Sequence, residues 1–388
     1  MLNFENTEHA FAYRSNGELK QANFLFASMG NAFVTNIGVK FTNWAFKVGL
    51  PISGLIKKTL FKQFCGGENL MEAGDTAEKI YKYGVGVILD YGVEGKETEA
   101  QFEETTIGFI EAFQFAKGKE HIPFVSVKVT GFARFGLLEK MDAKQSLSND
   151  EKVELESVKQ RLIRICNAAK DSNTMLLIDA EETWIQDPVD ELALEMMQIF
   201  NKEKVIVFNT YQMYRHDRLA YMQENLKSAK QHGFLLGAKL VRGAYMEKER
   251  MRAQELNYLS PIQTTKENTD KDYNDAVRLC MQEINHCALF IGTHNEASCL
   301  LAIELMIKNN ILSNSSNVYF SQLYGMSDNI SFNLAFEKYN VSKYLPYGPV
   351  HDVIPYLMRR AQENTSVKGQ TGRELGLISK ELKRRKIK

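Results

Sequence analysis

The run Gly84-Val85-Gly86-Val87-Ile88-Leu89 is where this chain changes texture. It is uncharged and is followed at once by Asp90 and Tyr91, so it reads as a strand covered on both faces with a polar end. Upstream, to about Tyr83, the pattern is helical. Phe24, Leu25, Phe26 and Met29, then Phe33, Ile37, Phe41 and Trp44, recur at helical spacing, and Pro51 and Gly66-Gly67 punctuate. Downstream, short apolar runs alternate with amphipathic stretches. The run also separates two architectures. An open doubly wound sheet normally carries GxGxxG after its first strand. Here the third glycine is missing, the glycines lie inside the strand, and no GxxxxGK[ST] occurs elsewhere.

Counting outward, further strands read at Phe124–Val129, Met175–Ile178, Val205–Asn209, Ala238–Val241, Ala288–Gly292, Val318–Ser321 and Lys343–Leu345. Together with Val85–Leu89 that is about eight, the number a closed parallel β/α barrel requires. Between them lie helical stretches: Glu99–Lys117, Asp150–Ala169 with Ser148 or Asn149 as its cap, Asp187–Phe200 with Pro188 in its first turn, Arg215–Gln231 ending at Gly233, Asn268–Asn285, Glu296–Lys308, Asp328–Tyr339 and Val350–Glu363. Strand, helix, strand, repeated, means parallel pairing with right-handed crossovers. The fold class is α/β, a (β/α)8 TIM-type barrel over 84–366, with a helical arm over 1–83 and a basic C-terminal tail over 367–388.

Composition narrows the function. The 388 residues are 44% hydrophobic and 25% charged, which excludes a disordered chain. Lys+Arg and Asp+Glu are 48 each, so the globally basic balance of a nucleic-acid binder is absent. Five cysteines without a CxxC pair argue against a disulfide framework or zinc ribbon and point to a reducing compartment, hence the cytoplasm. Gln21–Val39 is uncharged, but Asn23, Ser28, Asn31, Thr35 and Asn36 interrupt it, so it reads as a helix packed on protein rather than a span. Lys380–Lys388 holds six basic residues and one acidic, Glu381. Such a run can touch an anionic inner-membrane surface peripherally or stay a solvated tail.

In a barrel of this type the chemistry sits at the C-terminal ends of the strands. The residues there are cationic and aromatic. Arg359 and Arg360 follow the last strand on a helix, on one flank with Tyr356. They read as a bidentate carboxylate clamp or as a solvated pair answered by Glu363. Lys128 interrupts an apolar strand, so it is a site residue, a Schiff-base lysine included, or an ion-pair partner of Asp179. Lys239 poses the same question. Asp179 and Glu181 alternate, so they share a side. With His294 they could suggest a metal, but the seven histidines show no HxH or HExxH spacing, and no metal is expected. His294 reads either as a loop histidine or, with its small polar neighbours, as a phosphate contact. No GxSxG supports a serine triad.

At these residues the sequence resembles the proline dehydrogenase family, FAD-dependent enzymes of proline catabolism. The resemblance is carried by Ile178-Asp179-Ala180-Glu181-Glu182, Lys239-Leu240-Val241-Arg242-Gly243-Ala244-Tyr245, Thr293-His294-Asn295, Tyr344-Leu345-Pro346-Tyr347-Gly348-Pro349 and Pro355-Tyr356-Leu357-Met358-Arg359-Arg360-Ala361-Gln362-Glu363-Asn364. It implies hydride transfer from C5 of L-proline to the flavin N5, giving 1-pyrroline-5-carboxylate, with electrons passed to a membrane quinone. It implies that Arg359 and Arg360 hold the substrate carboxylate, that Lys128 lies beside it, and that Tyr344, Tyr356, Leu323 and Tyr245 pack on the ring. Asp179 and Lys239 would be the catalytic group, with Lys239 approaching N5. Ala180, Asn209, Val241, Arg242, Gly243, Ala244, Thr293, His294, Asn295 and Glu363 would hold the flavin, its pyrophosphate and ribose, and Thr264 the adenine. Bacterial members often carry arginine at the Lys239 position and glutamine at the Asn209 position, so this chain is more like the mitochondrial-type branch. Related hydroxyproline oxidases tend to lack the tyrosine at Tyr344, which favours proline here. The competing readings are a Schiff-base aldolase using Lys128 and a non-catalytic scaffold barrel.

Overall fold

The computed structural model describes residues 2–29, 53–92, 96–366 and 370–387. Eight strands follow one another in ring order and close into a barrel: β1 Gly86–Tyr91, β2 Phe124–Val127, β3 Met175–Ile178, β4 Val207–Gln212, β5 Leu236–Val241, β6 Cys287–Gly292, β7 Val318–Leu323 and β8 Val341–Tyr347. The strand pairings of the ladder are parallel, as strand–helix alternation dictates. The chain divides into two compact units, Val93–Ser321 and Met1–Gly92 with Gln322–Lys388.

In the unit Val93–Ser321 the ladder runs from β2 to β7, and its floor is aromatic. Phe124 meets Phe208, Phe290 and Tyr319 edge-on, with centroids 5.8, 5.1 and 4.8 Å away, the favoured arrangement for π quadrupoles. The helices begin and end where the chemistry says. Thr98 and Gln101 form a capping box ahead of Glu99–Ala116, and Ser148 and Glu151 form another ahead of Asn149–Ser172. Asn173 and Gly233, both left-handed, stop their helices. Pro188 is not in a first turn: its helix starts earlier, at Thr183. The break near it is absorbed because the Asp187 N–H donates to the Asp142 carboxylate at 3.0 Å. Two helices with no counterpart in the sequence reading, Phe135–Asp142 and Met246–Glu255, lie in the connections after β2 and β5.

In the other unit, β1 pairs with β8 from Gly86↔Ser342 to Tyr91↔Tyr347. The helices Asn16–Met29, Val350–Ser366 and Gln370–Arg384 share one apolar cluster that includes Phe11, Leu19, Phe26, Phe61, Phe64, Val353, Leu357, Leu377 and Ile378. The C-terminal segment is therefore a packed amphipathic helix, not a solvated tail. Three of its basic side chains are answered within the chain: Lys380 by Glu5 at 3.3 Å, Arg384 and Arg385 by buried Glu381 at 2.8 and 2.6 Å. Among the described residues no helix is long and apolar enough to cross a membrane. Of the Gln21–Val39 stretch, residues 30–39 lie outside the described residues.

Candidate active site

In the unit Val93–Ser321 the candidate side chains gather at the carboxyl ends of β3 to β6. Lys239 is central on β5, paired with Thr210 on β4 and Phe290 on β6. Its ammonium meets the Asp179 carboxylate at 2.5 Å, with both side chains largely buried. Asp179 is held just past β3 by its own N–H donating to the Val127 carbonyl at 2.9 Å. A charge inside a barrel is costly unless paired, so each partner makes the other tolerable. Val241 alternates with Lys239 on the same face of β5.

Arg242, just past β5, is clamped on three sides. Its Nε donates to Asp270 at 2.6 Å, Nη1 to Thr293 Oγ1 at 2.7 Å and Nη2 to Ser298 Oγ at 3.0 Å, and the guanidinium lies 4.4 Å from the Tyr273 ring centroid. Thr293 Oγ1 also accepts from the Asn295 N–H, and Asn295 caps the helix Glu296–Lys308 by accepting from Ser298 N–H at 3.1 Å. A guanidinium, a hydroxyl and a helix N-terminus so placed form an anion cradle. His294 lies half-buried between them. Gly243 has φ +129°, and a Cβ there would meet the Tyr214 ring at 2.5 Å, so only glycine turns the chain here. The Ala244 N–H donates to Gln212 Oε1, and Gln212 Nε2 donates to the Glu181 carbonyl. This donor set fits the phosphates of a dinucleotide.

A second buried group lies beside Lys128, which follows β2 at the start of the turn Val129–Gly131. Glu181 accepts from Thr130 N–H at 3.2 Å and Thr130 Oγ1 at 2.5 Å. Burial pushes its pKa up to about 7, against the pull of Thr130 and of the Lys128 charge. From Glu181 the network continues: its N–H donates to Gln186, Gln186 donates to Asp190, and Asp190 also accepts from Asn209 at 2.8 Å and Arg218 at 2.5 Å. Asn209 thus uses its amide nitrogen on Asp190, while its oxygen accepts from Thr210 N–H. Ala180 lies half-buried between Asp179 and Glu181. Tyr245 precedes the helix Met246–Glu255. Thr264 is exposed, accepting from Asn268 at 3.2 Å.

In the other unit, Arg360 is buried with its guanidinium 5.1 Å from the Tyr356 ring centroid, and Arg359 beside it is half-buried. Leu323 and Tyr356 pack on the apolar cluster, and the Tyr344 carbonyl accepts from Tyr324 N–H at 2.9 Å. The Glu363 side chain lies outside the described residues. Sequence reasoning missed one group here. Asp328 accepts from Tyr13 at 2.8 Å and Arg14 at 3.0 Å and pairs with Lys343 at 2.9 Å. Only Lys343 carried a signal, as a lysine at the head of an apolar run; nothing in the spacing pointed to its partners. Among the described residues no group of three His, Cys, Asp or Glu is placed to hold a metal ion.

The family model for proline dehydrogenase matches residues 73–373, which contain both sets of side chains. The chain belongs to the proline dehydrogenase family. It is 32% identical to proline dehydrogenase 1, mitochondrial, of Dictyostelium discoideum, over 98% of this chain and 74% of that protein. It is 31% identical to a hydroxyproline dehydrogenase of Xenopus laevis, over 85% of this chain and 78% of that protein. The fold matches proline utilization A from Bdellovibrio bacteriovorus with a TM-score of 0.73 at 20% identity, covering 97% of this chain and 38% of that larger one. The family's activity is proline oxidation, the first step of proline catabolism, and its chemistry is flavin-dependent. The aldolase and scaffold readings are not favoured. One expectation is overturned: relatives in Dictyostelium, Arabidopsis and human are named as mitochondrial, which corrects the cytoplasmic placement.

Proposed function

We propose that the cofactor is FAD, that the substrate is L-proline and that the electrons pass on to a quinone. The observation that carries the reading is the cluster around β5, where the Lys239–Asp179 pair adjoins the Arg242, Thr293 and Asn295 cradle. When bound, FAD supplies a two-electron acceptor that takes a hydride from C5 of proline at N5. The remaining work belongs to the chain. Arg242, Thr293, His294, Asn295, Gly243 and Ala244 would hold the pyrophosphate and ribose, Ala180, Asn209 and Val241 the ring system, Thr264 the adenine end, and Glu363 the ribose side. Lys239, oriented by Asp179, would stand at N5. A point-charge ammonium there replaces the planar fork of an arginine and so changes how the flavin electrons are tuned.

Arg359 and Arg360 would take the proline carboxylate by charge-assisted hydrogen bonds, and Lys128 would lie against the substrate and its carboxylate. Tyr344, Tyr356, Leu323 and Tyr245 would cover the pyrrolidine ring. Hydride loss demands orientation and a neutral amine more than a strong acid or base, and the cations around the substrate disfavour its ammonium form. Tyr344 leaves little room for a ring hydroxyl, which supports proline over hydroxyproline. The product is 1-pyrroline-5-carboxylate. Heat-released cofactor identified by mass is expected to be FAD, and turnover with a soluble quinone analogue is expected. Release of FMN, or of no flavin, would contradict the assignment.

A further inference from the structure

The helix Met246–Glu255 follows Tyr245 directly and is polar almost throughout. Its two buried residues are Glu249 and Ala253, one turn apart on one face. A short polar helix with so little apolar surface is not held by burial of carbon. It is held by a carboxyl group. Glu249, 0% exposed, accepts from the Thr183 N–H at 2.8 Å and from Thr183 Oγ1 at 2.7 Å. Thr183 opens the helix Thr183–Phe200, whose own N-cap, Glu182, makes no side-chain capping hydrogen bond. Glu249 therefore supplies, from another segment, the acceptor that a helix start needs.

The other tethers of this helix are partly exposed. Lys248 pairs with Glu182 and Arg252 with Glu139, the latter at 2.9 Å, and the two cations lie 5.5 and 4.3 Å from the Trp184 ring centroid. Exposed pairs contribute little each, whereas a buried donor left without its acceptor is costly. The backbone completes the link, since the Glu249 N–H donates to the Tyr245 carbonyl at 2.9 Å. Thr183 lies four residues beyond Asp179, so these bonds join the segment of Asp179 to the segment of Tyr245. We propose that Glu249 is a positioning residue for the substrate: by capping the helix Thr183–Phe200 it seats the helix Met246–Glu255 and fixes Tyr245 against the pyrrolidine ring. The inference rests on the assignment of Tyr245 to that ring.

Tetrahydrofuran-2-carboxylate has a five-membered ring and carboxylate like those of proline and no amine to oxidise. Its dissociation constant from the flavin-loaded enzyme can be read by calorimetry without turnover. Glu249→Ala is expected to weaken it about three- to tenfold, the scale of one lost helix cap. Glu249→Gln, whose amide can accept from the Thr183 N–H and donate to its hydroxyl, should recover most of that. In a Tyr245→Ala background the same Glu249→Ala change should cost nothing further, because it acts through Tyr245. A residue that merely holds the fold together would cost as much in either background. Wild-type binding in Glu249→Ala, no recovery in Glu249→Gln, or an undiminished loss on top of Tyr245→Ala would overturn the proposal. If Glu249→Ala does not fold, Thr183→Val takes its place in the same cycle, and no loss, or a loss of equal size with and without Tyr245, overturns it. Tyr245→Ala binding the probe as tightly as wild type would instead refute the ring assignment, and this inference with it.

Discussion

The pair Lys239–Asp179 shows what one position demands. An ammonium and a carboxylate at 2.5 Å, both buried, replace the water each has lost. Asp179→Asn removes the counter-charge and is expected to cost about 3–5 kcal/mol, whereas adding Lys239→Met should recover much of it. Chemical unfolding of the single and double variants checks this; a double variant no better than the single would show that the pair is not the source of the loss. For Arg359, truncation to alanine is expected to weaken proline by about 2–5 kcal/mol, since under the proposed clamp the substrate carboxylate would lose a desolvated partner. Saturation kinetics with proline decides, and an unchanged KM would remove Arg359 from the clamp. Such roles were legible in part. A lysine within an apolar strand reads as costly, which flagged Lys128 and Lys239. That Asp328 closes on Tyr13, Arg14 and Lys343 was not legible, because Arg14 is 314 residues away and spacing carries no information at that range.

Among the elements, the connection after β7 has the most unusual construction. Gly325 has φ +78°, and a Cβ there would lie 2.0 Å from the Gln63 carbonyl oxygen, so only glycine allows the approach. Ser327 N–H donates to Glu374 of the C-terminal helix at 2.5 Å. Burial, reinforced by the charge of Asp328, pushes Glu374 up to about 7. Burial also disfavours the Asp328 anion, but Lys343 and Arg14 outweigh it and hold that acid below its usual range. A raised carboxyl pKa stabilises the fold fully below the unfolded value, and that stability is lost as pH climbs through about 7. Glu374→Gln keeps an acceptor for Ser327 and has no proton to lose. Its stability relative to wild type is expected to grow by up to about 3 kcal/mol from about pH 5 to about pH 8, as unfolding titrations would show. A pH-independent difference would refute it. Element ends were less legible than element cores. β4 and β7 extend past their apolar runs to Gln212 and Leu323 because ladder hydrogen bonds are made by backbone, whatever the side chain. Met246–Glu255 escaped notice because a short, charged helix has too little apolar periodicity.

At the scale of the molecule, the eight-strand ring was legible because parallel strands covered on both faces are nearly continuous in apolar residues, and helices of ordinary length separate them. The neutral total charge concealed how the charges are placed. Cations line the strand ends, and the basic C-terminal residues that suggested a membrane contact include Lys380, Arg384 and Arg385, spent on acids of the same chain. Packing, not composition, decides that. The central claim is that these strand ends bind a flavin and reduce it with proline. The direct test is the visible spectrum of the purified protein before and after L-proline is added without oxygen. A flavin absorbance band that bleaches with proline is the expected result. No flavin band, or a band that proline leaves unchanged, with borohydride trapping a carbonyl substrate on Lys128, would contradict the account.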